Sequence, residues 1–201
     1  MKDYQAKNIR NLSVVGHGSE GKTTLVEALL FTAGAIDRQG RVEDGSTTTD
    51  YDPEEIRRQI SISAAMAPLE WKETKINLID IPGYFDFAGE QVGPMAVSDA
   101  ALITVGAVSG LSVGAEKAWA MCDKAHTSRM IVINQMDREN ANFDAAMALL
   151  HARFGGRLGA VTIPIGQAED FQGVIDIIRM EARYFEDGGE RVEAVETLPA
   201  K

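Results

Sequence analysis

The chain has 201 residues, with 20 Lys and Arg against 30 Asp and Glu, a formal net charge of −10, and 45% hydrophobic residues. That length suits one α/β core with a small appendage, and the acidic balance argues against direct DNA binding by bare electrostatic grip. The single Cys122 excludes an internal disulfide framework and a multi-cysteine metal site, and no run has the length and apolarity of a signal peptide or a membrane span, so a cytoplasmic chain with no membrane partner is expected.

An apolar stretch over residues 12–15 reads as a strand. It leads into Gly16-His17-Gly18-Ser19-Glu20-Gly21-Lys22-Thr23, which fits the phosphate-binding pattern of Gly, four residues, Gly, Lys, then Ser or Thr. From Thr24 to Phe31 the spacing is helical. A long polar stretch, residues 36–59, contains three consecutive Thr and an Asp-Tyr-Asp-Pro sequence and is expected to be a mobile loop. Residues 60–68 and 75–81 predict a strand pair, the second running into Asp80-Ile81-Pro82-Gly83. Helices are predicted at 87–96 and 113–125. Residues 101–105 and 129–133 are near-continuous apolar strands of the kind buried on both faces of a parallel sheet. The second ends in Asn134-Gln135-Met136-Asp137, and residues 142–154 form an amphipathic helix with Asn142 as its cap. Strands alternating with helices predict a doubly wound, mostly parallel α/β sheet with helices on both faces.

Three segments carry chemistry. In the phosphate loop, Gly at the turn lets the backbone approach oxygen atoms, and successive N–H groups with the helix N-terminus face an anion. Lys22 can reach outer phosphates, and the Thr23 hydroxyl can sit on a magnesium ion. Asp80 ends an apolar strand, which puts a carboxylate beside that magnesium, and the Gly83 N–H can meet a terminal phosphate oxygen. Asp137 can accept two hydrogen bonds from the guanine edge, which adenine cannot supply, while Asn134 ties its loop to the phosphate loop and the base. The bland alternatives are a turn at Asp-x-x-Gly, and a turn Asn with a helix-capping Asp at 134 and 137. His126 and His151 read as surface or core histidines, and Met136, Met147 and Met180 as packing. The acidic residues between 181 and 196 read as a solvated face or part of an appended subdomain.

Together these residues resemble the GTP-binding domain of the translational GTPases, closest to elongation factor G. The likeness runs over residues 8–184. It includes Gly16 to Thr24, Arg58-Gln59-Ile60-Ser61-Ile62, Asp80 to Phe87, Ala107-Val108-Ser109-Gly110, Asn134 to Asp137, Ile163-Pro164-Ile165-Gly166 and Phe171-Gln172-Gly173-Val174-Ile175-Asp176. The resemblance implies a phosphate-loop NTPase fold, with a GTP-binding core over residues 1–160 and the start of an inserted subdomain over 161–201. It also implies that the chain is an N-terminal piece of a larger protein, because the family's last guanine-contacting loop has no counterpart before Lys201. The expected ligands are GTP or GDP and Mg2+, and the expected partner is the ribosome. Gly16, His17, Gly18, Ser19, Glu20, Gly21, Lys22, Thr23 and Thr24 would hold the phosphates. Thr23, Ser61 and Asp80 would serve the metal, and Asn134, Gln135 and Asp137 the base. Gly83, Ser61 and Tyr84 would act in hydrolysis, with the loop before Ser61 ordered by phosphate and metal.

Four positions depart from the family pattern. Tyr84 stands where the family has a His that orients the attacking water, and a phenol is a poor general base at neutral pH. Ser19 replaces an Asp, Gly18 replaces an apolar residue near the water, and Gln135 replaces a Lys whose stem covers the base. Ser61 stands for the family Thr and keeps the hydroxyl. Three readings follow: a ribosome-dependent GTPase, a GTP-binding module that hydrolyses slowly or not at all and acts by occupancy, and a different phosphate-loop enzyme such as an ATPase.

Overall fold

In a computed structural model, which describes residues 2–156, 158–186 and 189–198, the chain forms two compact units. One comprises residues up to 105 together with 112–132, and the other comprises 106–111 and the residues from 133 onward.

The first unit is built on a five-stranded sheet in the order β2-β3-β1-β4-β5. Its strands are β1 (Ile9–Gly16), β2 (Ala65–Trp71), β3 (Thr74–Asp80), β4 (Ala100–Gly106) and β5 (Ser128–Asn134). β1 pairs parallel with both β3 and β4, and β2 lies antiparallel on β3. Helices α1 (Lys22–Thr32), α3 (Val92–Val97) and α4 (Val113–Ala125) pack on the sheet, and the short α2 (Pro53–Arg58) lies in the connection between α1 and β2. The α1 side chains Val26 and Leu30 pack with Val14, Ala67, Leu69 and Leu78 in a buried apolar cluster. Truncating a core leucine such as Leu30 to Ala costs about 2–5 kcal/mol. α4 begins where the Ser112 hydroxyl accepts the Ala115 N–H and ends at His126 in the left-handed region.

Two elements differ from the sequence expectation. The predicted strand over 60–68 begins only at Ala65, because the Ile62 and Ser63 N–H groups donate to the Glu55 carboxylate rather than to a ladder. Pro68 sits on this edge strand, where a missing donor is tolerated. The predicted helix over 87–96 is a 3₁₀ segment, Phe85–Gln91, followed by the short α3. Gly89 and Gly93 weaken helical order there, and Pro94 is accommodated only in a first turn.

The second unit carries a four-stranded sheet, β6 (Thr162–Ile165), β7 (Gly173–Asp176), β8 (Glu181–Glu186) and β9 (Gly189–Ala194), with each neighbouring pair antiparallel. It also holds α5 (Phe143–Phe154), whose Asn142 cap accepts the Ala145 N–H at 2.9 Å. Ala107, Met136 and Ala141 form its small core with Ile133, Phe143 and Phe171.

Candidate nucleotide site

β1 ends at Gly16 and α1 starts at Lys22, so the phosphate loop is the connection between a central strand and a helix N-terminus. Gly21 precedes the helix with φ 78°, a conformation that favours glycine. The loop is held from within. Lys22 Nζ donates to the His17 carbonyl at 2.7 Å, and the His17 N–H donates to Glu20 Oε2 at 2.9 Å. Gly83 lies directly against this loop. A Cβ built there would fall 2.3 Å from Lys22 Nζ and 2.6 Å from the His17 carbonyl carbon, so only glycine permits the approach.

The polar stretch after α1 closes on the same site. The fully buried Glu27, one turn after Thr23 on α1, accepts the Gly40 N–H at 2.8 Å and also the Thr48 N–H. Glu55 accepts N–H groups from Asp52, Ile62 and Ser63 at 2.9–3.1 Å. Residues 53–58 form α2, complete with a capping box between Asp52 and Glu55, so the expected bare loop carries a helical turn. This path brings Ser61 Oγ to 3.1 Å from Thr23 Oγ1 and lets Thr49 Oγ1 donate to Asp80 Oδ2 at 2.8 Å.

Asp80 is 1% exposed, and its Oδ1 is buried without a hydrogen-bond partner. Burial pushes its carboxyl up to about 6, against hydrogen bonds from Thr49 and Thr23 and the Lys22 charge. Burial likewise raises the neighbouring Asp50 carboxyl, opposed by a hydrogen bond with Ser61. It lowers Lys22, opposed by Asp80, Glu20 and Asp50. An unpartnered buried carboxylate oxygen beside two hydroxyls is a set of hard oxygen donors. It suits Mg2+, which takes one or two carboxylates and completes its shell with waters and substrate phosphates. Thr23, Ser61 and Asp80 could hold such an ion.

A family model described as the elongation factor Tu GTP binding domain matches residues 7–198. The chain belongs to this family of GTP-binding domains. Among its relatives, elongation factor G 2 of Streptomyces coelicolor is 38% identical over 193 residues, covering 96% of this chain and 28% of that protein. An elongation factor G-like protein of Thermotoga maritima is 36% identical over 187 residues, covering 93% and 26%. A crystal structure of a Thermus thermophilus protein superposes with a TM-score of 0.87 at 38% identity, covering 93% of this chain and 28% of that one. The chain therefore spans little more than a quarter of these relatives' length.

Within this GTP-binding domain, the sequence-predicted residues of the first unit meet: Gly16 to Thr24, Ser61, Asp80 and Gly83 surround one loop, with Tyr84 against its outer turn. Asn134, the last residue of β5, and Gln135 and Asp137 just after it fall in the second unit. There the Asn134 carbonyl accepts the Ala107 N–H at 2.8 Å and the Met136 carbonyl accepts the Ala168 N–H at 2.8 Å. Gln135 sits at φ 62°, and Met136 is buried while Asp137 is exposed. His17 packs 5.6 Å from the Phe85 ring, and its Nδ1 makes no hydrogen bond. The buried Cys122 thiol is raised by desolvation, as befits a packed residue.

Sequence reasoning passed over Glu27, Thr49, Asp50 and Glu55. Glu27 could have been found from its spacing, since a carboxylate four residues after Thr23 falls on the same buried helix face. Thr49 and Asp50 carried no such signal, because their positions depend on the path of the loop. Among the described residues no helix is long and apolar enough to cross a membrane.

Proposed function

We propose that this chain is the guanine-nucleotide-binding domain of an elongation factor G-like translational GTPase, which binds GTP and hydrolyses it on the ribosome. The observation that carries the reading is the meeting of Thr23 and Ser61 hydroxyls, 3.1 Å apart, beside the buried and unpartnered Asp80 oxygen. Ser61 reaches that place only through the folded path of residues 40–60, so an occupant of the site and the loop stabilise one another.

In the proposed reaction a water oxygen bonds to the γ-phosphorus of GTP as the bond to the bridging oxygen of GDP breaks, and the water's proton passes to an oxygen of the phosphate released. Lys22 and the loop N–H groups hold the phosphates, and Gly83 presents its N–H to the terminal one. Thr23, Ser61 and Asp80 would hold Mg2+, which when bound neutralises charge on the phosphate oxygens. Asn134 and Asp137 select guanine, with Gln135 against the base. Tyr84 can hold the attacking water by hydrogen bonding but cannot serve as an efficient base at neutral pH. Location in the cytoplasm follows from the same reading.

The test is GTP turnover by the full-length protein with and without purified ribosomes. Strong stimulation supports the reading. GTP bound without turnover in either condition favours the second reading, a module acting by occupancy. The observation favouring that alternative is the Tyr84 hydroxyl, engaged with Ser19 at 3.1 Å.

A further inference from the structure

Three of the four departures from the family pattern meet at one point. A Cβ built at Gly18 would fall 2.7, 2.8 and 2.9 Å from Cζ, Cε1 and Cε2 of the Tyr84 ring. The Tyr84 hydroxyl is 3.1 Å from Ser19 Oγ. Gly18 is not in the left-handed region, so its backbone does not demand glycine; the ring does. The next residue is fastened as well. Phe85 lies 5.6 Å from the His17 ring, and Lys117 Nζ stands 3.8 Å from the Phe85 ring centroid. The segment leaving Gly83 is thus clipped to the phosphate loop at two successive aromatic residues.

We propose that Tyr84 is a cover on the rim of the phosphate loop, seated on Gly18 and latched to Ser19, whose opening sets how fast guanine nucleotide enters and leaves. The proposal rests on the nucleotide-binding reading and adds a control on exchange to it. A single hydroxyl–hydroxyl contact shifts the open fraction of such a cover by about three- to tenfold. Because passage in either direction needs the open form, association and release change in the same direction.

The experiment is stopped-flow association and release of a fluorescent GDP analogue on the full chain with Mg2+, each variant first checked for folding by its thermal transition. Ser19→Ala and Tyr84→Phe should each accelerate release about three- to tenfold, and the double variant no more than either alone, since both remove one contact. Gly18→Ala, whose Cβ unseats the ring, should accelerate release in the wild-type background and do nothing in Tyr84→Ala. Release unchanged in all variants, or additive effects, overturns the cover while leaving nucleotide binding intact. A wild-type chain that binds no fluorescent GDP overturns both.

Discussion

Asp80 sits almost wholly out of solvent with its carboxyl raised to about 6 from an ordinary 3.8. The folded-state value lies above the unfolded one, so the folded chain holds this proton more tightly between those two pH values. The stabilisation is present below about pH 4 and lost as the pH rises through 6, by about 3 kcal/mol in the absence of metal. Asp80→Asn in the metal-free chain should therefore raise stability at pH 7.5 by about 1–3 kcal/mol and flatten the profile between pH 4 and 6, as read by urea denaturation. With Mg2+ and GDP the order should reverse, since only the carboxylate meets the ion as an anion. An Asp80→Asn chain less stable than wild type without metal would contradict this account. The residues legible in the sequence at this scale were those whose placement follows from a local pattern, such as Gly21, Lys22 and Thr23 at the start of the helix that follows β1. Asp80 was legible because an apolar strand ends on it. Thr49 and Asp50 were not, because nothing within a few residues of them says that the chain returns to Thr23.

Buried carboxylates fasten much of the segment over residues 40–63. Glu27 is the strongest case, a fully buried side chain accepting two backbone N–H groups from the segment. Glu27→Gln leaves one of those donors without an acceptor, which costs about 1–3 kcal/mol when the group stays buried. Native-state hydrogen exchange should show faster exchange at Gly40 or Thr48 with the strands of the sheet unaffected, and unaltered protection at both would count against this anchoring. Ser61→Ala should weaken Mg2+-dependent GTP binding about tenfold or less, since it removes one of several oxygen donors, while metal-free binding is unaltered. A carboxylate also explains why the strand predicted over 60–68 starts late, because Glu55 takes the backbone donors of residues 62 and 63 before the ladder begins. The strand pair itself was legible, but the position of its turn was not. Lys72 and Glu73 adopt φ 45° and 61° there, where Asn-Gly would have announced the hairpin. By contrast, helices 113–125 and 142–154 were fully legible, since each has a capping side chain and a period that agree.

At the scale of the whole molecule, the strand order β2-β3-β1-β4-β5 puts the phosphate loop at the carboxyl end of the central strand, as open α/β sheets place their ligand sites. Alternation of apolar strands and helices was enough to read that architecture. The antiparallel sheet of the second unit was not read from the sequence, since β6 to β9 are short, partly polar and carry little periodicity of their own; the family likeness gave only the start of an inserted subdomain there. The central proposal is that this chain binds guanine nucleotide in preference to adenine nucleotide. Competition of GDP, GTP and ATP for the chain in Mg2+, followed by calorimetry, tests it most directly. Guanine nucleotides should bind about a hundredfold or more tightly than ATP, and Asp137→Asn should abolish the difference. Equal affinity for ATP and GTP in the wild-type chain would contradict the account.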